Sequence, residues 1–238
     1  MKNVLAITRR ELRAYFQSPM AYVVSAIYLA IIGGFFGFML YYSREATMYY
    51  VFLNAIPLLF TVLVSQVLTM RLLADEQRQG TLELLLTSPL RDWEVVLGKY
   101  LASLAGFLAM VALTIYCPLT LWRVGNPDVG VLFSSYLGYV LMGAAMLAIG
   151  VFASSLTQNQ IVSAIIGIGI IIVLWLSGAV TDLVGPKVGT FFAYLPIFDH
   201  FFEFARGLID TTDIVYYLSL IVVFLFLATR SVESRRWK

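Results

Sequence analysis

Residues 129–181, VGVLFSSYLGYVLMGAAMLAIGVFASSLTQNQIVSAIIGIGIIIVLWLSGAVT, form the stretch that decides the fold. No charged residue occurs between Asp128 and Asp182. The run is too long for one membrane-spanning helix, which needs about 20 mostly apolar residues, but it fits two antiparallel helices joined by a short turn. The polar segment 154–160 supplies that turn. We therefore predict two spans, at about 131–153 and 161–180.

Four further apolar runs flank this stretch. They cover about 20–41, 51–70, 101–121 and 214–229, and none contains an Asp, Glu, Lys or Arg. In the whole chain the residues AVILMFWYC make up 61% and charged residues only 13%, whereas a soluble domain is nearer half apolar and a quarter charged. The sequence therefore predicts an all-α integral membrane protein with six transmembrane helices in a single domain, 1–238.

The distribution of basic residues predicts the orientation. If both termini lie on one side, twelve of the sixteen Lys and Arg residues fall there, and cytoplasmic loops accumulate these residues. The other side keeps four basic residues among seven acids. We expect a multi-pass protein of a bacterial or archaeal cytoplasmic (inner) membrane with both termini in the cytoplasm. The net charge of +2 is a topology signal rather than a nucleic-acid-binding patch.

The N-terminal segment 1–19 predicts an amphipathic helix lying on the cytoplasmic surface and ending near Ser18-Pro19. Its apolar face contains Val4, Leu5, Thr8, Leu12, Tyr15 and Phe16, and its basic residues, with Gln17, face away. The alternative is a plain basic topology anchor.

The segment 71–100 is the most informative part of the chain outside the spans. It begins RLLADEQRQGTLELLLTSPLRDWEVVLGK. Gly80 would end the incoming helix, Thr81 could cap a short new helix, and a further helix would start at Asp92 and run into the third span. We interpret the new helix as lying across the cytoplasmic face, with Leu82 and the leucines 84–86 inserted into a partner's groove. A solvated linker would explain the charges but not these leucines.

The outer segment 181–213 is strongly aromatic and too long for a simple link. Because irregular backbone cannot face lipid, we expect two short re-entrant helices around a break at Pro196. An interfacial aromatic belt is the alternative. His200 is the only histidine, and beside Asp199 we interpret it as a polar interface residue.

Catalytic motifs are missing from the sequence. Gly98-Lys99 lacks the upstream glycine and the hydroxyl residue of a phosphate-binding loop, so we expect no ATPase site, no catalytic residue and no metal site in this chain. Cys117 is the only cysteine and is expected to be structural, beside a kink at Pro118. The spans contain no Asp, Glu, Lys, Arg or His, which disfavours a proton-driven carrier. Gly33 and Gly37 form a Gly-x-x-x-Gly motif for helix packing, either within the chain or between two copies.

Three blocks of this sequence resemble the permease subunits of ABC-2 type transporters, particularly the branch associated with gliding motility. The first is residues 10–19 with Ala21-Tyr22, and the third is residues 204–210 with Asp213. The second and most specific block is the loop, which matches at Glu76, Gly80, Thr81, Glu83, Leu84, Leu85, Leu86, Pro89, Glu94, Leu97, Gly98 and Lys99.

The resemblance implies a type V ABC exporter fold with an elbow helix, a coupling helix and outer re-entrant helices. It implies ATPase coupling through Asp75, Glu76, Arg78, Gly80, Thr81, Glu83, Leu84, Leu85 and Leu86. It implies elbow-helix roles for Arg10, Arg13, Tyr15 and Phe16, and an outer gate at Phe191, Phe192, Pro196, Phe198 and His200.

The resemblance also implies partners. Two permease copies, expected as a homodimer, would bind two copies of a separate ABC ATP-binding subunit, which holds the ATP and Mg²⁺. An auxiliary periplasmic or membrane-anchored protein is a further partner to look for. The substrate is not encoded in any motif. Two other functions stay open: an ATP-independent carrier or channel, and a structural membrane anchor of a surface or motility complex.

Overall fold

A computed structural model describes residues 2–43, 48, 51–52, 54–81, 91–180, 189 and 192–235. Within these ranges the regular elements are helices. In chain order they are α1 Lys2–Gln17, α2 Pro19–Ser43, α3 Ala55–Thr69, α4 Ala74–Arg78, α5 Asp92–Leu113, α6 Tyr116–Val124, α7 Val129–Leu156, α8 Gln160–Leu176, a 3₁₀ turn Ser177–Val180, α9 Asp199–Ala205 and α10 Thr211–Arg235.

Six helical segments among the described residues are long and apolar enough to cross a membrane, which confirms the predicted number. They are Pro19–Tyr42, Ala55–Arg78, Asp92–Val124, Val129–Leu156, Gln160–Ala179 and Thr211–Ser234. The third and sixth begin earlier than the apolar runs that predicted them. Lys99 and Asp213 therefore lie inside helices, near their starts, and the spans are free of charge only in their central parts.

The turn between the fourth and fifth spans lies where the polar segment predicted it. α7 ends at Leu156, and Asn159 caps α8 by accepting a hydrogen bond from the backbone N–H of Ile161 at 2.9 Å. Asp128 caps the start of α7 in the same way, through the N–H of Gly130 at 2.8 Å. These side chains satisfy backbone donors that a helix start leaves unpaired.

A break divides the third span between α5 and α6. Pro118 has no N–H with which to bond the carbonyl of Thr114, so the regular helical pattern cannot continue there. That carbonyl instead accepts from the N–H of Cys117 at 2.9 Å and from the hydroxyl of Tyr136 at 3.1 Å. The expected interruption near Pro118 is present, and Cys117 is buried beside it.

α7 is the central helix, packed by α3, α5, α8, α9 and α10. Its glycines allow close approach, because a Cβ at Gly138 would overlap Phe204 and a Cβ at Gly143 would overlap the ring of Phe107. A buried chain of hydroxyls joins α7 to α2 and α3, because the hydroxyl of Tyr139 lies 2.9 Å from that of Tyr28 and 2.5 Å from that of Thr61. Lipid provides no hydrophobic driving force between helices, so the close packing that these glycines allow helps to hold the spans together.

The two glycines of the predicted Gly-x-x-x-Gly motif on α2 have different surroundings. A Cβ at Gly33 would overlap the hydroxyl of Tyr116 on α6, so this glycine serves packing within the chain. A Cβ at Gly37 would meet nothing within 4 Å.

Candidate functional site

The bundle has two ends that differ in charge. We call one the basic end: it carries α1, α4, the first turns of α5, the α7–α8 turn and the last turns of α10. Hydrogen bonds connect these parts, for example from Ser231 Oγ to the carbonyl of Ser155 at 3.2 Å. The opposite end carries α9 and the starts of α7 and α10.

At the basic end, α1 packs along the first turns of α5. Gly98 permits the contact, because a Cβ there would lie 2.9 Å from Ile7 Cβ and 3.2 Å from the carbonyl oxygen of Val4. The hydroxyl of Thr8 donates to the carbonyl of Gly98 at 3.0 Å. Val4, Ile7 and Tyr15 are buried, while Leu5 and Phe16 are more than half exposed. The apolar surface of α1 is therefore shared between the protein and its surroundings.

Four side chains form a charged cluster at this junction: Arg10 and Glu11 on α1, Glu76 on α4 and Lys99 on α5. Lys99 Nζ lies 2.9 Å from Glu76 Oε1 and 3.1 Å from Glu11 Oε1. Arg10 Nη2 reaches the same two oxygens at 2.8 Å and 2.7 Å. The Lys99 side chain is 1% exposed, and a buried ammonium group is tolerated only when it is paired. The charged cluster therefore fixes α1, α4 and α5 to one another.

The protonation of the charged cluster follows from its geometry. Burial acts to raise the pKa of Glu11, but attraction to Lys99 and the hydrogen bonds from Arg10 and Lys99 outweigh it, so the pKa is lowered. The hydrogen bond to Glu11 is the main reason that the pKa of Arg10 is raised. Glu11 and Arg10 are thus ionised at neutral pH and attract each other.

α4 is also tied to the α7–α8 turn. Ser154 Oγ accepts from the N–H groups of Leu73 and Ala74, both at 3.0 Å, and donates to the carbonyl of Met70 at 3.0 Å. Gln77 Nε2 donates to the carbonyl of Ser155 at 3.0 Å. Movement of α4 would therefore act on α5 through the charged cluster and on the last turn of α7 through Ser154 and Ser155.

The residues that the resemblance assigned to coupling occupy different positions. Glu76 is in the charged cluster, and Asp75 accepts a hydrogen bond from Gln160 on α8. Arg78 is exposed beside the α7–α8 turn. Gly80 has φ +70°, a left-handed conformation that suits glycine and stops α4, as its sequence position indicated. Glu83 and Leu84–Leu86 lie outside the described residues.

Thr81 is the last described residue of this part of the loop, so the helix that it was expected to cap lies outside the described residues. The Thr81 hydroxyl lies 3.4 Å from the carbonyl of Glu76, so it bonds back to α4.

The elbow-helix residues also occupy two environments. Tyr15 is buried and its hydroxyl donates to the carbonyl of Leu68, while Arg71 lies over its ring at 4.7 Å from the centroid. Phe16 and Arg13 are exposed, and Arg10, expected to face away, reaches the charged cluster.

The sequence reasoning missed Glu11, Lys99 and Ser154 as site residues. Lys99 was the available signal, because it is the last charged residue before an apolar run of about 20 residues. A lysine at that position needs a carboxylate, but the sequence does not say which one.

At the opposite end, α9 packs inward on α7. Ser134 Oγ donates to the carbonyl of Phe204 at 2.8 Å, and the ring of Phe201 packs near that of Tyr139 at 6.1 Å. Among the predicted gate residues, Pro196 and Phe198 are buried, Phe192 is half-buried, and Phe191 lies outside the described residues. Pro196 is non-helical, between helical residues 192–193 and α9.

His200 pairs with a different carboxylate from the adjacent one. Its Nδ1 lies 2.6 Å from Asp213 Oδ1 on α10, and its Nε2 lies 3.0 Å from the carbonyl of Tyr194. The ring stacks on Tyr216 at 3.9 Å between centroids, and Asp199 is exposed. His200 therefore fixes α9 to the start of α10.

Comparison of the sequence with known protein families identifies the class of this protein. The model of the ABC-2 type transporter family matches residues 2–209. The chain belongs to the ABC-2 type transporter family. It is therefore a multi-pass membrane protein, and the six apolar helices agree with that assignment.

Among curated proteins, the chain is similar to the "Probable multidrug ABC transporter permease YbhR" of Escherichia coli strain K12 and to the protein of that name in Escherichia coli O157:H7. Identity is 31% over 102 residues in both cases. The match covers 43% of this chain and 27% of each relative, about a quarter of the relative's length.

Proposed function

We propose that the chain is the transmembrane permease subunit of an ATP-driven exporter. A separate ABC subunit would bind ATP and Mg²⁺, and this chain would supply the path across the membrane without an ATPase site of its own. Family membership supports the permease role. The basic end would face the cytoplasm of a bacterial or archaeal cell, with both termini there, because Lys and Arg accumulate on that side.

The charged cluster is the observation that supports coupling most directly. It connects α4 with α1 and with Lys99, near the start of the third span. α4 is the helix that leads into the proposed coupling segment. A push on Glu76 would be transmitted to Lys99 through a single ion pair of 2.9 Å. We propose that ATP-driven closure of the partner subunits moves α4, and that the charged cluster carries this motion into the spans.

The remaining parts of the proposal follow the family resemblance. Asp75, Arg78, Gly80, Thr81 and Glu83 would contact the ATP-binding subunit and Leu84–Leu86 would seat the coupling helix. Two permease copies would enclose the path, and the segment around α9 would gate its outer end. The multidrug name of the relatives suggests small hydrophobic compounds as the first substrates to test.

Co-purification tests the partner assignment. We expect that a phosphate-loop ATPase encoded in a neighbouring reading frame co-purifies with the tagged chain. Replacing Glu83 and Leu85 with Lys should abolish that association, whereas Glu233→Gln, at an exposed ion pair on α10, should leave it intact. Association and transport that survive the double replacement would show that the loop is not the coupling element.

Transport assays separate the proposal from its rivals. Substrate movement into liposomes that contain this chain alone would establish an ATP-independent carrier or channel. A phenotype that is lost on deleting the chain, but kept when the partner's ATPase is inactivated, would establish a structural anchor. The proposal requires that both deletion and ATPase inactivation stop transport.

A further inference from the structure

His200 on α9 lies between two hydrogen-bond acceptors. Its Nδ1 is 2.6 Å from Asp213 Oδ1 on α10, and its Nε2 is 3.0 Å from the carbonyl oxygen of Tyr194. The ring is held in this position by stacking on Tyr216, with 3.9 Å between the centroids. The imidazole therefore connects three parts of this end of the bundle: the residues before α9, α9 itself and the start of α10.

The two acceptors determine how many protons the ring carries. A neutral imidazole has one N–H donor and one nitrogen lone pair, so it can donate to only one of them. Because imidazole is a stronger base than a carboxylate, the proton between His200 and Asp213 lies on the ring. The contact with the carbonyl of Tyr194 needs a second proton, on Nε2. The observed geometry is therefore that of the charged imidazolium ring.

Asp213 depends on this positive charge. Its side chain is 9% exposed, and its second oxygen, Oδ2, is buried with no hydrogen-bond partner among the described residues. A buried carboxylate is stable as an ion only when it is paired, and His200 is the partner that the described part of the chain supplies. The strength of this pair therefore changes when the ring loses a proton.

Histidine is the residue type at this end whose charge changes near neutral pH, between about pH 5 and 8. Carboxylates ordinarily titrate near pH 4 and tyrosines near pH 10. Around His200 the described titratable and charged side chains are Asp213, Tyr216 and Tyr217 on α10, Asp199, Glu203 and Arg206 on or next to α9, Tyr139 on α7, and Tyr194 and Asp210 in the flanking segments.

Loss of one proton would break one contact of the ring and keep the other. A carboxylate accepts a stronger hydrogen bond than a carbonyl group, so the remaining proton stays on Nδ1, facing Asp213. Nε2 then turns a lone pair towards the carbonyl of Tyr194, and that hydrogen bond is lost. Two tyrosine hydroxyls of α10 still donate to the carbonyls of Leu195 and Ile197, at 2.6 Å and 2.7 Å. The release is therefore confined to Tyr194 and the residues before it.

We propose that His200 is a pH-sensitive latch. The charged ring ties Tyr194 to α9 and α9 to Asp213, whereas the neutral ring releases Tyr194 and keeps the bond to Asp213. The stabilisation that the latch provides is complete at acidic pH and is lost as the pH rises through the titration of the ring. The latch requires no transport activity. Its response to the external medium rests on the proposed orientation, in which this end faces outwards.

His200 is the only histidine of the chain, so its ring signals can be observed without overlap. Nitrogen-15 NMR of the full chain in nanodiscs, labelled on histidine and purified with a histidine-free tag, would follow both ring nitrogens from about pH 5 to about pH 9.5. We expect protons on both nitrogens at the acidic end and on Nδ1 alone at the alkaline end. A remaining proton on Nε2 would overturn the proposal.

Two replacements of neighbouring acids test the partner of the ring. Asp213→Asn removes the paired charge and should lower the midpoint of the His200 titration by about one pH unit or more. Asp199→Asn is the matched control, because Asp199 adjoins His200 in the chain but is exposed, and it should change the midpoint by less than about half a unit. Equal shifts in the two variants would show that Asp213 does not hold the proton on the ring.

Hydrogen–deuterium exchange measures the release itself, with labelling times corrected for the intrinsic pH dependence of amide exchange. Between about pH 6 and pH 8.5, residues 192–205 of wild type and of Asp199→Asn should lose about tenfold in protection, the effect of one charge-assisted hydrogen bond. His200→Asn cannot titrate in this range and should show low protection at both pH values.

Unchanged protection in wild type, or a pH dependence that persists in His200→Asn, would refute the latch. Gel filtration would show whether each variant is folded. If a replacement of Asp213 or His200 prevents folding, the position of the proton and the exchange of residues 192–205 in wild type decide the question. Neither measurement depends on a partner subunit or on transport, so failure of the latch and failure of the proposed function are distinguishable.

Discussion

Replacing Lys99 by Met removes the buried positive charge of the charged cluster while keeping an unbranched side chain of similar length. Glu11 and Glu76, each 15% exposed, would then share only Arg10, which is 55% exposed. Removing one partner of a buried ion pair typically costs about 3–5 kcal/mol, because the remaining charge is left uncompensated. We therefore expect Lys99→Met to destabilise the protein substantially at neutral pH.

In the variant, each glutamate of the charged cluster can lose its uncompensated charge by taking up a proton. The free energy of that protonation is therefore an upper limit on the stability lost through each carboxylate. With an ordinary pKa of 4.5, protonating one glutamate at pH 7 costs about 3.4 kcal/mol, at about 1.36 kcal/mol per pKa unit. At pH 5 the same step costs only about 0.7 kcal/mol. We expect a loss of about 3 kcal/mol at pH 7 that shrinks to about 1 kcal/mol at pH 5. The sign follows because the variant raises the folded-state pKa, so its penalty grows with pH.

The assay is unfolding of the detergent-solubilised protein by sodium dodecyl sulfate, followed by circular dichroism at pH 7 and pH 5. Arg230→Met is the matched control, because Arg230 pairs with Glu233 in an exposed i,i+3 bridge and should cost less than about 0.5 kcal/mol. A loss below about 1 kcal/mol at pH 7 for Lys99→Met, or an equal loss at both pH values, would refute this account of the charged cluster.

Three further predictions use the same unfolding assay. Gly138→Ala should cost about 1–3 kcal/mol, because its Cβ would overlap Phe204 and displace α9; a loss under about 0.5 kcal/mol would contradict that packing. Gly167→Ala should be similarly destabilising through overlap with the amide of Gln66, and Gln66→Ala in the same chain should recover most of the loss; no recovery would show that this contact is not the cause. In wild type the stability due to the lowered pKa of Glu11 should be present above about pH 4.5 and lost as pH falls below it, whereas Glu11→Gln should lack this component.

Gly169→Ala is the matched control for both glycine replacements, because a Cβ at this exposed position meets nothing within 4 Å. Its free energy of unfolding should stay within about 0.5 kcal/mol of wild type.

The spans could be predicted because hydrophobic length is a local property of the sequence. The charge-free stretch between Asp128 and Asp182 required two helices, and the structure has them as α7 and α8. The start of α5 at Asp92 was also predicted, because acidic residues favour the first turn of a helix, whereas α10 begins three residues before its apolar run, at Thr211. The ends of a helix depend on caps and on contacts such as that of Gly98 with α1.

The charged cluster could not be derived from local pattern. Glu11 and Lys99 are separated by 88 positions, and Arg10 and Glu76 by 66. The sequence established that a lysine precedes an apolar run, but the choice of partner depends on the packing of α1 against α5. The partner of His200 was not predictable either, because the neighbouring Asp199 is exposed and Asp213, thirteen positions along the chain, supplies the bond.

The most direct test of the central claim is the rate of ATP hydrolysis, and of substrate transport, by the chain reconstituted in lipid with its co-purified ATP-binding subunit. We predict that Lys99→Glu retains the subunit but loses at least tenfold in transport, about 1.4 kcal/mol of coupling. Combining it with Glu76→Lys, which restores the ion pair in reverse, should recover most of that loss. Wild-type transport in Lys99→Glu, or no recovery in a correctly folded double variant, would contradict coupling through the charged cluster.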